Sequence, residues 1–214
     1  MSKLSAFDLD ETLIMANSSF LFCVYLYRKG VFPFSYVIYS TLCGLLHRMA
    51  LISTTKLHEL IFNRLLLGRS LSSLQEHVEA FIIELFANYS YPPALSALRQ
   101  AQHLGHFTVL LSNSPSFLVA EASRYLNFNA WKATEYAVDK HKKMCHIAVI
   151  MHGSLKAENM LNMANALEIS KENISAYSDS CIDLPFLLAA GRAIAVRPDR
   201  KLKILAKKHN WTIL

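Results

Sequence analysis

An α/β fold with a parallel central sheet, interrupted early by an all-helical insertion, is predicted by three observations. A short apolar run, Leu4–Leu9, leads into two carboxylates at Asp8 and Asp10. Residues 17–88 then show no strand-like alternation. After Pro92-Pro93, apolar runs of strand length alternate with helix-length segments to the C-terminus, the pattern of βαβ units. Residues 1–16 and 89–214 are therefore read as an α/β core, and residues 17–88 as a helical insertion.

Composition fits a packed domain of this kind. Hydrophobic residues make up 53% of the 214 residues and charged residues 18%, with only six Gly and six Pro, which argues against long disorder. The formal charge of +6 favours anionic ligands such as phosphate esters. No arginine-rich run or aromatic-basic platform is present, so nucleic acid is not expected as a partner. The four cysteines, Cys23, Cys43, Cys145 and Cys181, lack C-x-x-C spacing. That suggests neither a zinc site nor a disulfide framework, and it fits a reducing, cytoplasmic setting. Asp8, Asp10 and Glu11 stand where a signal peptide would need its apolar core. No feature specifies an oligomeric state.

Taken in order, Leu4–Leu9 reads as a buried strand. Phe20–Tyr27 and Val31–Leu46 are apolar runs split by Arg28-Lys29-Gly30. Both fall short of the roughly twenty apolar residues of a membrane span, so they read as a buried or interfacial helical pair, which leaves open a weak contact with a membrane surface. Ser53-Thr54-Thr55 is a cap signal before the stripe Leu57, Leu60, Ile61 and Leu65. Ser73-Leu74-Gln75-Glu76 has the form of a capping box. Leu74, Val78, Phe81, Ile82, Leu85 and Phe86 then recur at helical spacing. Pro92-Pro93 opens a helix that Gly105 closes.

The strand His106–Leu111 ends at Ser112-Asn113, with Ser114 as N-cap and Pro115 as the first residue of the next helix. Asn129–Ala133 reads as a short strand, while Thr134–Gly153, rich in Lys and His, carries no clear period. A helix follows over Leu155–Leu167, capped by Ser154. Ile174–Ser178 is a strand, Asp179–Asp183 a loop, and a helix runs on to Gly191. Ala193–Val196 reads as the last strand, and Pro198-Asp199 starts a basic helix.

The polar groups gather where strands end or helices start. Residues two apart on a strand point to one side, so Asp8 and Asp10 would repel each other unless a divalent cation lies between them. Ser112 and Asn113, Lys156, and Asp179 with Asp183 follow in order. In a doubly wound sheet such carboxyl ends meet at one crevice. The set suits phosphoryl transfer. One carboxylate attacks phosphorus, a second acid moves protons, a metal screens charge, and a lysine with hydroxyl or amide donors holds the remaining oxygens.

At this point Phe7-Asp8-Leu9-Asp10-Glu11-Thr12-Leu13 resembles motif I, D-x-D-x-T, of the haloacid dehalogenase superfamily. Ser112 resembles motif II, Lys156 motif III, and Tyr177-Ser178-Asp179-Ser180-Cys181-Ile182-Asp183-Leu184-Pro185 motif IV. The early helical insertion is similar to the C1 cap of the phosphoserine-phosphatase-like branch, subfamily IB. The segment Ala195-Val196-Arg197-Pro198-Asp199 with the late Trp211 is similar to that branch as well.

The resemblance implies a Rossmann-like core with a C1 cap and a Mg²⁺-dependent phosphatase acting on a small phosphorylated metabolite. It implies Asp8 as nucleophile and Asp10 as general acid/base. Metal coordination would fall to Asp8, the Asp10 main-chain carbonyl and Asp179, and phosphate binding to Ser112, Asn113 and Lys156. Asp183 would hold Lys156 or a metal-bound water, and Thr12 would brace the motif I loop. Where phosphoserine phosphatases carry a glutamate for the substrate amino group, this chain has Asn17, and glycines do not follow Ser112. Both departures argue against phosphoserine itself. Asn17, Phe20 and Arg64 are the candidate pocket residues of the insertion.

Two other readings stay open on the sequence. A phosphotransferase or mutase would use the same acids with a second hydroxyl in place of water. A catalytically silent module would use the apolar insertion at a membrane or partner.

Overall fold

The computed structural model describes residues 2–214, and its centre is a seven-stranded sheet in the order β4-β3-β2-β1-β5-β6-β7. The strands are β1 (Leu4–Phe7), β2 (Phe107–Pro115), β3 (Ala130–Val138), β4 (Met144–Val149), β5 (Ile174–Ser178), β6 (Arg192–Ala195) and β7 (Thr212–Ile213). All neighbours are parallel except the β3–β4 pair. β1 is fully buried and lies between β2 and β5. Successive strands run outward from β1 to β4 on one side and from β5 to β7 on the other. The switch point of the sheet is therefore at β1 and β5, where an open α/β sheet has its crevice.

The helices are α1 (Ser18–Arg28), α2 (Phe34–Arg48), α3 (Thr54–Ile61), α4 (Leu71–Gln75), α5 (Val78–Tyr89), α6 (Pro92–His103), α7 (Ser116–Tyr125), α8 (Gly153–Ala166), α9 (Leu184–Ala189) and α10 (Arg200–Lys208). The first five lie between β1 and α6, as the missing strand period predicts. A π-helical turn, Phe62–Leu66, extends α3. Ser53 caps α3 by accepting from the Lys56 backbone N–H. The stripe from Leu74 to Phe86 is buried at all six positions. It joins a cluster in which the Phe22 ring meets Phe81 of α5 at 5.0 Å and Phe117 of α7 at 6.0 Å, so helices on both sides of β2 share one apolar core.

Several local expectations are corrected. Ser73-Leu74-Gln75-Glu76 is no capping box, because α4 already begins at Leu71 and the Ser73 hydroxyl donates back to the Ser70 carbonyl. β2 continues through Pro115, and α7 starts at Ser116, since the Ser114 hydroxyl is engaged across the chain instead of capping. α8 begins at Gly153 without a side-chain cap from Ser154. The unassigned stretch Thr134–Gly153 is the β3–β4 hairpin at the sheet edge, and β6 is followed by the two-residue β7.

Gly153 positions α8. A Cβ there would collide with the Ile182 carbonyl and crowd the Asp183 Cα, so α8 lies hard against the turn that follows β5. Gly153→Ala should push the two apart and lower stability by about 1–3 kcal/mol, the usual cost of overpacking. Thermal unfolding measures this, and an unchanged melting temperature would show that the turn simply gives way.

Candidate active site

Asp8 follows the last residue of β1, and its backbone N–H continues the ladder by donating to the Tyr177 carbonyl at 3.0 Å. The carboxylate therefore emerges between β2 and β5. Its Oδ1 accepts from the Leu9 backbone N–H at 2.8 Å and from Lys156 Nζ at 2.9 Å. Oδ2 has no protein donor among the described residues.

The chain then turns tightly, with the Leu9 carbonyl receiving the Leu13 N–H at 2.9 Å and Glu11 in the left-handed region at φ 55°. Glycine holds that conformation at least cost. Glu11 points outward to Arg197 at 3.5 Å, away from the acids.

Asp10 has a different environment. Its Oδ1 accepts from the Ser18 backbone N–H at 2.8 Å, at the start of α1, and its Oδ2 from the Ser114 hydroxyl at 2.6 Å. Ser114 is also 2.9 Å from the Ser18 hydroxyl and 3.0 Å from that of Ser19. These serines fix the Asp10 carboxyl between motif I, motif II and the first helix. Burial raises its pKa, against the hydrogen bonds from Ser114 and Ser18.

Lys156 Nζ lies 2.7 Å from Asp183 Oδ2 as well as 2.9 Å from Asp8, and its side chain is only 2% exposed. It reaches both because α8 is seated on the turn that ends at Asp183. Burial works against the ammonium, but the Asp183 and Asp8 carboxylates more than offset it and raise its pKa. The nearby Lys132, Lys140, Lys142 and Lys143 are all exposed. Asp183 Oδ2 also accepts from the Ser178 hydroxyl at 2.8 Å.

Asp179 completes the set from the end of β5, where the buried Thr12 hydroxyl donates to it at 3.3 Å. Asp199 braces the same loop. Its backbone N–H donates to the Asp179 carbonyl, its Oδ2 accepts from the Cys181 N–H at 2.7 Å, and its Oδ1 caps α10.

Asp8 and Asp183 thus share one lysine, while the Asp179 carboxylate is held by Thr12. Burial pushes Asp179 up to about 7, with the Asp183 charge adding to it. Asp8 is raised well above the usual carboxylate range by burial, with Lys156 opposing and Asp183 and Asp179 reinforcing. Among the described residues no three acid, His or Cys side chains form a ready metal cluster, so a hard divalent cation would rest on Asp8 and Asp179 together with backbone oxygen.

Ser112 and Asn113 stand across from Asp8 on the extended end of β2. Ser112 is buried and its hydroxyl accepts from the Ser114 N–H at 3.1 Å. The Thr134 hydroxyl donates to the Asn113 carbonyl at 2.7 Å and accepts from the Met151 N–H, which pins this end to the hairpin.

From α3, His58 is half-buried, and burial lowers its pKa, with the Asn113 side chain opposing. Of the three candidates from the insertion, Asn17 caps α1 through its side-chain oxygen on the Phe20 N–H, and Phe20 is half-buried. Arg64 is exposed, with its guanidinium over the Tyr36 ring at 5.9 Å, and makes no ion pair with the acids. Motif reading missed the parts played by Ser114 and Gly153, and it read Asp199 only as the start of a helix. Only the D-x-D geometry hinted at Ser114, since a fixed second carboxyl needs donors.

The sequence profile of haloacid dehalogenase-like hydrolases matches residues 6–188, from motif I through motif IV. The chain belongs to this family. The phosphoserine phosphatase SerB1 of Mycobacterium tuberculosis is 26% identical over 216 residues, spanning 97% of this chain and 68% of that protein.

Two solved structures share the fold. A protein of unknown function from Bordetella pertussis superposes with a TM-score of 0.86 at 20% identity, over 100% of this chain and 99% of the other. A substrate-bound phosphoserine phosphatase gives 0.73 at 17% identity, over 100% and 93%. The molecule is therefore a haloacid dehalogenase-like hydrolase with the fold seen in phosphoserine phosphatases, and several of its relatives carry phosphatase names. A surface groove of about 390 Å³, lined by Gly191, Arg192, His209 and Trp211 among others, lies at the opposite end of the strands from this chemistry.

Proposed function

We propose that the protein hydrolyses a small phosphate monoester through an aspartyl-phosphate on Asp8. The unequal environments of the two motif I carboxylates carry this reading. Asp8 keeps one oxygen clear of protein donors, as a nucleophile must, while both oxygens of Asp10 are held by hydrogen bonds, as suits a group that only moves a proton.

In this scheme Asp8 Oδ2 forms a bond to phosphorus as the ester P–O bond breaks, and Asp10 gives its proton to the departing oxygen. Asp10 then takes a proton from water, whose oxygen attacks phosphorus and releases Asp8. Lys156, Ser112 and the Asn113 amide hold the non-bridging oxygens. The Asp8 and Asp179 carboxylates and the Asp10 main-chain carbonyl would hold Mg²⁺, which when bound offsets the charge on the carboxylates and the phosphoryl group.

Residues 17–88 act as the cap over this site, and the bond from the Ser18 N–H, at the start of α1, to the Asp10 carboxylate supports that role. Phosphoserine is not the favoured substrate. The Asn17 oxygen is committed to capping α1, so no anionic group stands there to hold an amino group.

Hydrolysis of an aryl phosphate with Mg²⁺ tests the reading. Chelation should abolish turnover, Mg²⁺ should restore it, and inorganic phosphate should appear in step with the phenol. Turnover that survives chelation would sink the metal-dependent route. Phosphate missing in the presence of alcohol acceptors would turn the reading towards phosphotransfer.

A further inference from the structure

The helix α2 is turned inside out. Its buried positions are the small residues Ser40 and Cys43, while Phe34, Ile38, Leu42, Leu45 and Met49 are each more than half exposed. At about 100° per residue these five fall within an arc of about 80°, one continuous apolar strip. Tyr27, itself exposed at the end of α1, extends the strip by packing on the Phe34 ring at 5.2 Å. Water-exposed side chains of this size in one row mark an interaction surface.

Charge identifies the occupant. No acidic residue occurs between Glu11 and Glu59, and the segment carries Arg28, Lys29, Arg48 and Lys56. Arg28 and Lys56 are paired with Glu84 and Glu59, whereas Lys29, which ends α1 with its ammonium over the Tyr25 ring at 5.2 Å, and Arg48, the last residue of α2, make no ion pair among the described residues. An apolar strip flanked by cations, Lys29 before α2 and Arg48 at its last turn, complements an anionic lipid surface. It is poorly suited to a second copy, because two-fold pairing of the strip would bring like charges together on a chain that is already +6.

The 15 residues of α2 measure about 22 Å, short of the roughly 30 Å of a bilayer core. No helix among the described residues is long and apolar enough to cross a membrane. We infer that α2 lies in the plane of an anionic membrane, its apolar strip in the acyl-headgroup boundary and Lys29 and Arg48 at the phosphates. The cap would then be the part of the enzyme that meets the membrane.

Flotation of the full chain with vesicles tests this. Binding is expected to equal mixtures of phosphatidylcholine and phosphatidylglycerol, and little to phosphatidylcholine alone. The triple variant Ile38→Gln, Leu42→Gln, Leu45→Gln should lower binding about tenfold or more, with aryl phosphate turnover in solution unchanged. Lys29→Gln with Arg48→Gln, which leaves the core intact, should also weaken binding about tenfold and reduce its salt sensitivity. The inference fails if the wild type does not float with the mixed vesicles, or if both variants float as well as it does. A concentration-dependent dimer lost in the triple variant, without vesicle binding, would assign the strip to self-association. Turnover is read separately, so failure here leaves the hydrolytic reading standing.

Discussion

Asp8→Asn should lower kcat for aryl phosphate hydrolysis by about 10⁴-fold or more while leaving the melting temperature unchanged or raised. The amide is nearly isosteric but lacks the anionic oxygen that would attack phosphorus. The partner ammonium is not orphaned, because Lys156 keeps Asp183 at 2.7 Å. Removing a desolvated charge therefore relieves the site without opening a cavity. Side-by-side turnover and thermal unfolding separate the two effects. Equal turnover in variant and wild type would exclude covalent catalysis at Asp8, and a large fall in melting temperature would make the activity loss uninformative.

The parts of the site that could be read from the chain are those set by local backbone geometry. Asp8 and Asp10 follow an apolar strand, Asp179 and Asp183 follow another, and in a parallel sheet all strand ends face one crevice. Lys156 stands in the first turn of a helix and is buried, whereas the four neighbouring lysines are exposed.

What was hidden depends on residues far apart in the chain. The Ser114 bond to Asp10 spans 104 positions, and nothing near either residue encodes it. Gly153 matters only because the Ile182 carbonyl happens to lie against it. The β3–β4 hairpin escaped because the edge strand β4 is mostly solvent-exposed and has no buried face to impose a two-residue period. At two residues, β7 carries no period at all. Ser73 to Glu76 satisfied a local rule that a competing start at Leu71 overrode.

The same logic explains why α2 was ambiguous as sequence. Its apolar content suggested a buried or interfacial helix, and only the fold shows which side faces inward. Ser40 and Cys43 face the core and the large residues face out, so sequence hydrophobicity overstated how much of α2 is buried.

Lys156→Met is expected to be the most destabilising substitution in the site. Methionine fills similar volume, so packing is largely kept, but Asp8 and Asp183 would face each other without a cation in a nearly dry setting. Breaking a buried ion pair by removing one partner costs about 3–5 kcal/mol. At about 2–4 °C per kcal/mol for a protein of this size, the melting temperature should fall by roughly 6–20 °C. Turnover should vanish as well, since no ammonium remains for the phosphoryl oxygens.

Adding Asp183→Leu to Lys156→Met distinguishes the two roles. Removal of the second acid relieves the repulsion and should recover part of the lost stability, because an ion pair replaced as a whole by apolar groups is nearly neutral. It cannot recover turnover, because the positive charge beside Asp8 is still absent. If the single variant melts with the wild type, the Asp8–Lys156–Asp183 cluster is not what holds α8 against the turn after β5. If the double variant regains stability and activity together, Lys156 is a structural counter-ion and the phosphoryl group is held by other donors.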